Sequence, residues 1–219
     1  MYELSPEEQR VLGSLLEKQR TTPDIYPLTL NALRAACNQS TNRDPVVAYD
    51  ESTIRDALYR LSQRRFTRLS GGHTSRAAKY RHLLDDTLQV GREEQAVLAV
   101  MLLRGPQTPG ELLQRTERLF HFPDSAALNE TVDRLMEREL VARYDRRPGQ
   151  REDRYGHLLG GDAPPAPAAP PAAPAPAPPA AGDDERLAQL EREVAELRAE
   201  VAALREAVGG SAETSTAAG

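Results

Sequence analysis

Residues 50–84 combine an amphipathic helix with a glycine-tipped hairpin, and this stretch restricts the fold more than any other part of the chain. The polar segment Asp50–Ser52 can accept hydrogen bonds from a helix N-terminus and complements its dipole. Apolar residues then recur at spacings of four and three on one helical face, namely Ile54, Leu58 and Leu61. The pair Gly71-Gly72 fits a turn between two strand-like segments, 66–69 and 77–84. A helix followed directly by a basic hairpin predicts the second half of a winged helix-turn-helix unit.

Two further helices are predicted upstream of this stretch. Ser5 is a good N-cap, and Glu8, three residues later, completes a capping box for the first helix. The second helix is predicted at residues 29–36. The connection that follows, residues 37–49, is unusually polar and has two interpretations. Either it is a surface loop whose Asn and Asp side chains cap their own backbone, or it lies beside the third helix and adds DNA or ligand contacts, chiefly through Arg43.

The pattern then repeats. Glu7–Leu12 is echoed by Glu93–Leu98, and Tyr80–Leu84 is echoed by Tyr155–Leu159. A repeat of domain size indicates two copies of one fold. The elements predicted for the second copy are helices near 92–104, after Thr108 and at 125–139, and hairpin strands at 141–144 and 154–158. The sequence therefore predicts an α+β, mostly helical fold with two tandem winged helix-turn-helix domains, at residues 1–87 and 88–160.

Charge is distributed unevenly along the chain, whose formal net charge is −5. Residues 1–160 contain 24 basic and 23 acidic residues, whereas residues 50–82 contain 8 basic and 3 acidic ones. The third helix of copy one carries Arg55, Arg60 and Arg64, whereas its counterpart in copy two carries Glu130, Asp133, Glu137 and Glu139 beside Arg134 and Arg138. Because phosphate repels carboxylates, we expect DNA to be contacted mainly by copy one, and copy two to serve in packing or in binding a partner. In copy two only the hairpin remains basic, with Arg143, Arg146, Arg147 and Arg151.

The C-terminal quarter has a different composition. Residues 161–184 are rich in Ala and Pro, which predicts a flexible, extended linker. Residues 185–208 carry strict heptads with Leu followed by three Val at the a positions and Leu at every d position, which favour a parallel two-stranded coiled coil. The predicted dimerisation residues are Leu187, Leu190, Val194, Leu197, Val201 and Leu204. The alternatives are a lone amphipathic helix or one that packs back on the body, and residues 209–219 are expected to be disordered.

Several functional classes find little support in the sequence. Cys37 is the single cysteine, so an internal disulfide and a thiolate metal cage are excluded. No apolar run suits a membrane span and no signal peptide is evident, so a cytoplasmic location is expected. His82 and His157 occupy equivalent positions of the repeat, which indicates a structural role. With no phosphate loop or nucleophile elbow, we expect no enzymatic activity, no metal and no cofactor, and no motif indicates an effector pocket between the copies.

Two stretches resemble a known family. Residues 22–33, TPDIYPLTLNAL, and the polar stretch 37–45, CNQSTNRDP, together with the tandem layout, are similar to the uncharacterised bacterial YceH family. The resemblance covers about residues 3–160 plus a C-terminal heptad helix. It implies a tandem winged-helix fold, without an established substrate, cofactor or catalytic residue.

The leading functional hypothesis is a dimeric DNA-binding protein of the transcriptional-regulator type. It would insert the third helix of copy one into the major groove of double-stranded DNA, with the hairpin near the flanking phosphates. The residues predicted to contact DNA are Arg43, Ser52, Thr53, Arg55, Tyr59, Arg60, Arg68 and Arg76. The alternative is a non-enzymatic protein–protein adaptor built from winged helices, because a fold alone does not decide function.

Overall fold

Three helices followed by an antiparallel hairpin occur twice along the chain. The structure is a computed structural model that describes residues 2–70, 78–144 and 152–160. The first half comprises α1 (Pro6–Thr21), a 3-10 turn (Pro23–Ile25), β1 (Leu28–Thr29), α2 (Leu30–Cys37), α3 (Glu51–Gln63), β2 (Thr67–Ser70) and β3 (Lys79–His82). A short helix, α4 (Leu84–Leu88), leads to the second half, which comprises α5 (Arg92–Arg104), α6 (Pro109–Thr116), α7 (Ser125–Glu137), β4 (Val141–Tyr144) and β5 (Arg154–His157). The predicted α+β, mostly helical class is confirmed.

Side-chain caps fix where the helices begin. At α1, the Glu8 N–H donates to Ser5 Oγ and the Ser5 N–H donates to Glu8 Oε2 at 2.8 Å, which completes the predicted capping box. Thr108 and Glu111 form the same box at α6. Asp50 caps α3 by accepting from the backbone N–H of the third helical residue. These caps satisfy orphan N–H groups, which explains why the helix starts were predictable from sequence.

The strands form two small antiparallel sheets. In the first half the order is β1-β3-β2, with Leu28 opposite Tyr80 and Thr67 opposite His82. In the second half β4 pairs with β5. A single bridge between Gln107 and Tyr155 stands in the place that β1 holds in the first half. The strand β1 and the helix α4 were not predicted from the sequence.

The turn from the third helix into the hairpin has the same construction in both halves. Arg65 has a φ of 61° and Glu139 a φ of 54°, so each occupies the left-handed region. The next residue then donates its N–H to a carbonyl at the end of the helix at 2.9 Å, from Phe66 to Leu61 and from Leu140 to Leu135 in the two halves. The repeat seen in the sequence therefore extends to backbone geometry.

One hydrophobic core runs through both halves, and α1 against α5 is its most extensive helix contact. Gly13 lies at this contact, where a Cβ would stand 2.9 Å from Leu103 Cγ and 3.0 Å from Leu102 Cβ. The Leu4 N–H also donates to Leu159 O at 2.8 Å, which joins the beginning of the first half to the end of the second. The described residues all belong to one compact unit, Met1–Ala168.

Several predicted segments lie outside the described residues. These are the turn Gly71-Gly72, the linker 161–184, the coiled-coil segment 185–208 with its six dimerisation residues, and the tail 209–219. None of the helices in the described ranges has the length and apolar character that a bilayer span requires.

Candidate nucleic-acid interface

The helix α3 presents one apolar face to the core and one polar face to solvent. Its core-facing residues are fully or almost fully buried: Ile54, Ala57, Leu58 and Leu61. On the opposite face Ser52, Arg55 and Tyr59 follow one another at spacings of three and four, and all three are exposed. Tyr59 is 66% exposed, which is unusual for an aromatic residue in the middle of a helix. This face combines a cation, an aromatic ring and a hydroxyl group.

The first turn of α3 is fixed by a carboxylate. Asp50 Oδ1 accepts from the Thr53 N–H and from the Ser52 hydroxyl, both at 2.8 Å. These hydrogen bonds, the backbone one from Thr53 first, lower the pKa of Asp50 to about 2. Thr53 is half-buried and serves mainly as the backbone donor to the cap. Ser52 keeps its oxygen lone pairs available while it donates to Asp50.

The Arg55 guanidinium is free to change partners. It faces Glu51 one turn earlier at 3.7 Å, and both side chains are about half exposed. Exposed pairs of this type contribute only about 0.3–0.5 kcal/mol. A phosphate or a base edge can therefore replace Glu51 at little cost.

Arg60 and Arg64, by contrast, hold α3 against the start of α1. Arg60 Nε lies 3.9 Å from the buried carboxylate of Glu8, and Arg64 donates to Glu3 O at 2.6 Å. The second half repeats both contacts. There, Arg134 lies 4.0 Å from Glu94, and Arg138 donates to Leu88 O. Because the same contacts occur in the half whose third helix carries an acidic face, we attribute these arginines to the architecture of the repeat.

The position of Arg43 corrects the expectation that it contacts DNA. Its side chain is fully buried and its Nη2 lies 2.6 Å from Glu17 Oε2, in a bidentate ion pair. The same guanidinium donates to Ala36 O at the end of α2 and to Gln39 Oε1. A group with all of its donors engaged inside the protein cannot reach a phosphate, and Arg43 instead holds the polar loop, residues 38–50, onto α1 and α2.

The hairpin brings two arginines together on its outer face. The β2–β3 register places Arg68 directly opposite Arg81, and Arg68 is exposed. Neither forms a salt bridge within the residues that the structure describes. Like charges at opposed positions of a sheet destabilise it, and an anion placed between them relieves the repulsion. Sequence reasoning missed Arg81, although its alternation with buried His82 could have indicated it, while Arg76 lies outside the described residues.

Among the described residues of the second half, 88–144 and 152–160, the third helix has no comparable basic and aromatic face. Asn129 and Asp133 of α7 stand where the first half has Arg55 and Tyr59. On β4, the exposed Arg143 lies 3.8 Å from Asp153 and so has an acidic partner. The difference in charge between the two third helices therefore persists at the surface.

Cys37 and His82 are buried and His157 is half-buried, all in structural environments. Burial raises the pKa of the Cys37 thiol to about 11. The Leu84 N–H donates to His82 Nδ1 at 3.2 Å, so Nε2 carries the proton and donates to Gln19 Oε1 at 2.7 Å. At His157 the Nδ1 is buried and has no hydrogen-bond partner in the described part of the chain. Among the residues described, no group of three or more His, Cys, Asp or Glu side chains is arranged to hold a metal ion.

Comparison with known proteins identifies the family. Residues 4–150 match the family described as "Protein of unknown function, DUF480". The chain is 46% identical over 193 residues to a UPF0502 protein of Koribacter versatilis, which covers 87% of this chain and 88% of the relative. It is 50% identical over 193 residues to a UPF0502 protein of Geobacter metallireducens (85% and 86%), and 43% identical over 198 residues to one of Vibrio vulnificus (87% and 90%). The resemblance inferred from residues 22–33 and 37–45 is thus confirmed, and the chain belongs to the DUF480 family of bacterial UPF0502 proteins.

Proposed function

We propose that the protein is a non-enzymatic, cytoplasmic DNA-binding protein in which each half is a winged helix-turn-helix module. In this proposal α3 enters the major groove, and the β2–β3 hairpin lies against the flanking backbone. Arg55 and Tyr59 face the bases or the groove walls, while Arg68 and Arg81 neutralise phosphates. Base contacts would provide specificity and phosphate contacts would provide orientation and most of the salt dependence.

The exposed face of α3 is the observation that supports this proposal most strongly. Ser52, Arg55 and Tyr59 form a continuous stripe that contributes nothing to the core. Arg60 and its counterpart Arg134 recur in both halves, and their contacts with Glu8 and Glu94 account for their presence. The three residues of the stripe do not recur in the second half, so the shared architecture does not account for them. The ring of Tyr59 is exposed to water, and the weak ion pair of Arg55 with Glu51 is easily replaced. Both side chains would therefore be better satisfied inside a DNA groove than in water.

Fluorescence anisotropy on full-length protein and a labelled random-sequence duplex, over a KCl series, tests this function. We expect measurable binding at low salt and a linear fall of log affinity with log salt. The R55A/Y59A variant should bind at least about tenfold more weakly, because it loses a charged contact and a packed ring. The R68A/R81A variant should reduce the salt slope by about two, since each phosphate contact contributes close to one.

The second half provides a matched control. Asn129 occupies the position equivalent to Arg55, so N129A should leave DNA affinity unchanged. Absence of binding at low salt, or equal losses in N129A and R55A/Y59A, would remove α3 as the reading helix.

We also propose that two copies associate through the heptads at 185–208, which would give a twofold arrangement suited to a palindromic site. Sedimentation equilibrium should show a dimer that the L190A/L197A variant converts to a monomer. Weaker binding to DNA should accompany that conversion, because the two half-sites would no longer be linked. A monomeric wild-type protein would contradict this part of the proposal.

A protein–protein adaptor is the second candidate, and the acidic face of α7 is the observation that favours it. Glu130, Asp133 and Glu137 are all exposed on that helix. A basic protein partner would be attracted to this face. Binding of a partner that E130Q/D133N weakens, without any affinity for DNA, would select the adaptor over the regulator.

A further inference from the structure

A cleft between the two halves holds basic side chains that the proposed DNA surface does not use. Its volume is about 430 Å³, within the range of small-molecule sites. One wall comes from α1 and the polar loop 38–50, and the other from α5, α6 and the segment that follows α6. Any ligand in the cleft therefore touches both halves.

The cleft lining is strongly cationic. Lys18, Arg104, Arg115 and Arg118 contribute four positive charges, whereas Glu17 contributes the one negative charge. Clefts lined by one sign of charge concentrate counter-ions from solution. The remaining lining is polar, with a small apolar area from Val100, Leu103 and Leu119.

The nearby carboxylates do not neutralise this excess. Glu17 is already held by Arg43 at 2.6 Å, so its contact with Lys18 at 3.5 Å is a shared one. At the opposite wall Glu111 lies 2.9 Å from Arg154 and 3.4 Å from Arg115, again divided between two cations. Each of these two carboxylates is therefore shared between two cationic side chains, and net positive charge remains in the cleft.

Arg104 shows the effect of this crowding. It is half-buried at the C-terminal end of α5, where burial and the neighbouring charges of Arg115 and Arg43 lower its pKa. Glu17 and Asp44 act in the opposite direction without cancelling that effect. Arg104 also donates to Asn42 Oδ1 of the polar loop, which holds the guanidinium at the cleft. Arg118 stands exposed at the rim and forms no salt bridge within the described residues.

We infer that this cleft binds a small, multiply charged anion bearing phosphate or carboxylate groups, and that the ligand joins the two halves of the molecule. Arginines bind such groups through paired, charge-assisted hydrogen bonds. The apolar patch formed by Val100, Leu103 and Leu119 suits a compact uncharged portion of the same ligand. This inference does not depend on DNA binding by α3, because the residues involved are different.

Isothermal titration calorimetry of the full-length protein with inorganic pyrophosphate, and separately with citrate, tests the inference. Chloride keeps the ionic strength constant in both arms, so that general screening is excluded. We expect saturable binding at one site per chain, and the tighter of the two arms identifies phosphate or carboxylate as the preferred group. The variants R115Q and R118Q should each weaken that binding by about tenfold, as expected for a lost charge-assisted hydrogen bond.

R92Q is the matched control, since Arg92 is an exposed arginine at the opposite end of α5 from the cleft. It should leave anion affinity unchanged, and circular dichroism should show that all three variants fold. No saturable binding of either anion, or the same loss in R92Q as in R118Q, would overturn the inference. Loss of DNA affinity in R115Q and R118Q without any binding of the free anions would also overturn it, and would make the cleft a contact for the DNA backbone.

Discussion

The two halves of the molecule share one skeleton but present different third helices. Arg60 and Arg134 approach in the same way the glutamate that accepts from the N-cap backbone of the first helix in each half, and the helix-to-strand turn is the same in both. The exposed faces then diverge, with Arg55 and Tyr59 on α3 and Asn129 and Asp133 on α7. The comparison shows that side chains which recur maintain the architecture, and that those unique to one half are the better candidates for function.

The connection between the second and third helices also differs. In the first half, hydrogen bonds fix the polar loop 38–50 at several points. Arg43 donates to Glu17, and Arg10 donates to Pro45 O. The Asn38 side chain donates to Tyr49 O and accepts from the Tyr49 N–H. The second half connects the same helices through the shorter segment 117–124. The longer loop therefore depends on internal hydrogen bonds to keep its shape.

Removing the Arg43 side chain should produce the largest effect. R43A leaves the Glu17 carboxylate without its closest cation and Ala36 O without its donors, in a site where Arg43 is fully buried. Breaking such a pair costs about 3–5 kcal/mol. Urea denaturation followed by circular dichroism measures the change, with R34A on the surface side of α2 as a control expected to cost less than about 0.5 kcal/mol. A stable R43A protein with weakened DNA binding would restore the sequence-based interpretation of Arg43.

Acid should destabilise the protein through His82, which is buried, and His157, which is half-buried. Burial lowers the pKa of both His82 and His157 to about 4, from an ordinary value of 6.5. The unfolded chain therefore binds protons more readily, so the stability from each neutral ring is complete above pH 6.5 and is lost as the pH falls toward 4. Each histidine should contribute up to about 3 kcal/mol over that range.

The two halves should respond alike. Burial is the main cause of the lowered pKa at both rings; at His82, Asp85 opposes this effect while Arg20 and Arg81 add to it, and the pKa values of His82 and His157 are both about 4. Urea midpoints between pH 7.5 and 4.5 should therefore depend less steeply on pH in both H157Q and H82Q, and by similar amounts. The control is H121Q, which removes the imidazole of an exposed histidine that faces Glu117 at 2.7 Å. Equal slopes in H157Q and wild type would mean that the ring is already accessible to protons.

Local sequence signals predicted the helices and the hairpins well. The capping residues Ser5, Asp50 and Thr108 mark helix starts that the structure confirms, because a cap acts within three residues of its own position. Thr29, predicted as the first residue of the second helix, is its N-cap. The helix predicted at 125–139 likewise forms, with Leu128, Val132 and Leu135 buried at spacings of four and three. Short-range chemistry of this kind can be recognised in a single chain.

Contacts between distant segments were harder to predict. Arg43 was predicted to contact DNA because it lies in a polar segment that could lie beside the third helix. Its actual partner, Glu17, lies 26 residues away, and nothing near Arg43 in the sequence indicates that pair. The cleft cations Lys18, Arg104 and Arg115 come from three separate helices, so only the fold brings them together. Arg60 and Arg64 are an intermediate case, because aligning the repeat places them over Arg134 and Arg138 and could have identified them as architectural. The tertiary arrangement therefore decides which exposed charges remain free.

The smallest expected effect gives the most direct test of the comparison between the halves. The Oε1 atom of the buried Glu8 has no hydrogen bond among the described residues, and Arg60 is its nearby cation. The R60A variant removes this cation and should lower the free energy of unfolding by about 1 kcal/mol. R134A should cost less, a few tenths of a kcal/mol, because Arg138 still lies 3.5 Å from Glu94. Urea denaturation measures both changes.

DNA binding by the same two variants then separates architecture from recognition. If Arg60 belongs to the repeat, R60A should change DNA affinity by less than about twofold, and by no more than R134A, under conditions where R55A/Y59A loses about tenfold. A loss of DNA affinity in R60A as large as in R55A/Y59A, with stability unchanged, would mean that one arginine position carries a structural contact in one half and a DNA contact in the other. Recurrence within the repeat would then no longer distinguish structural side chains from functional ones, and the charge pattern along α3 would be the better guide to the interface.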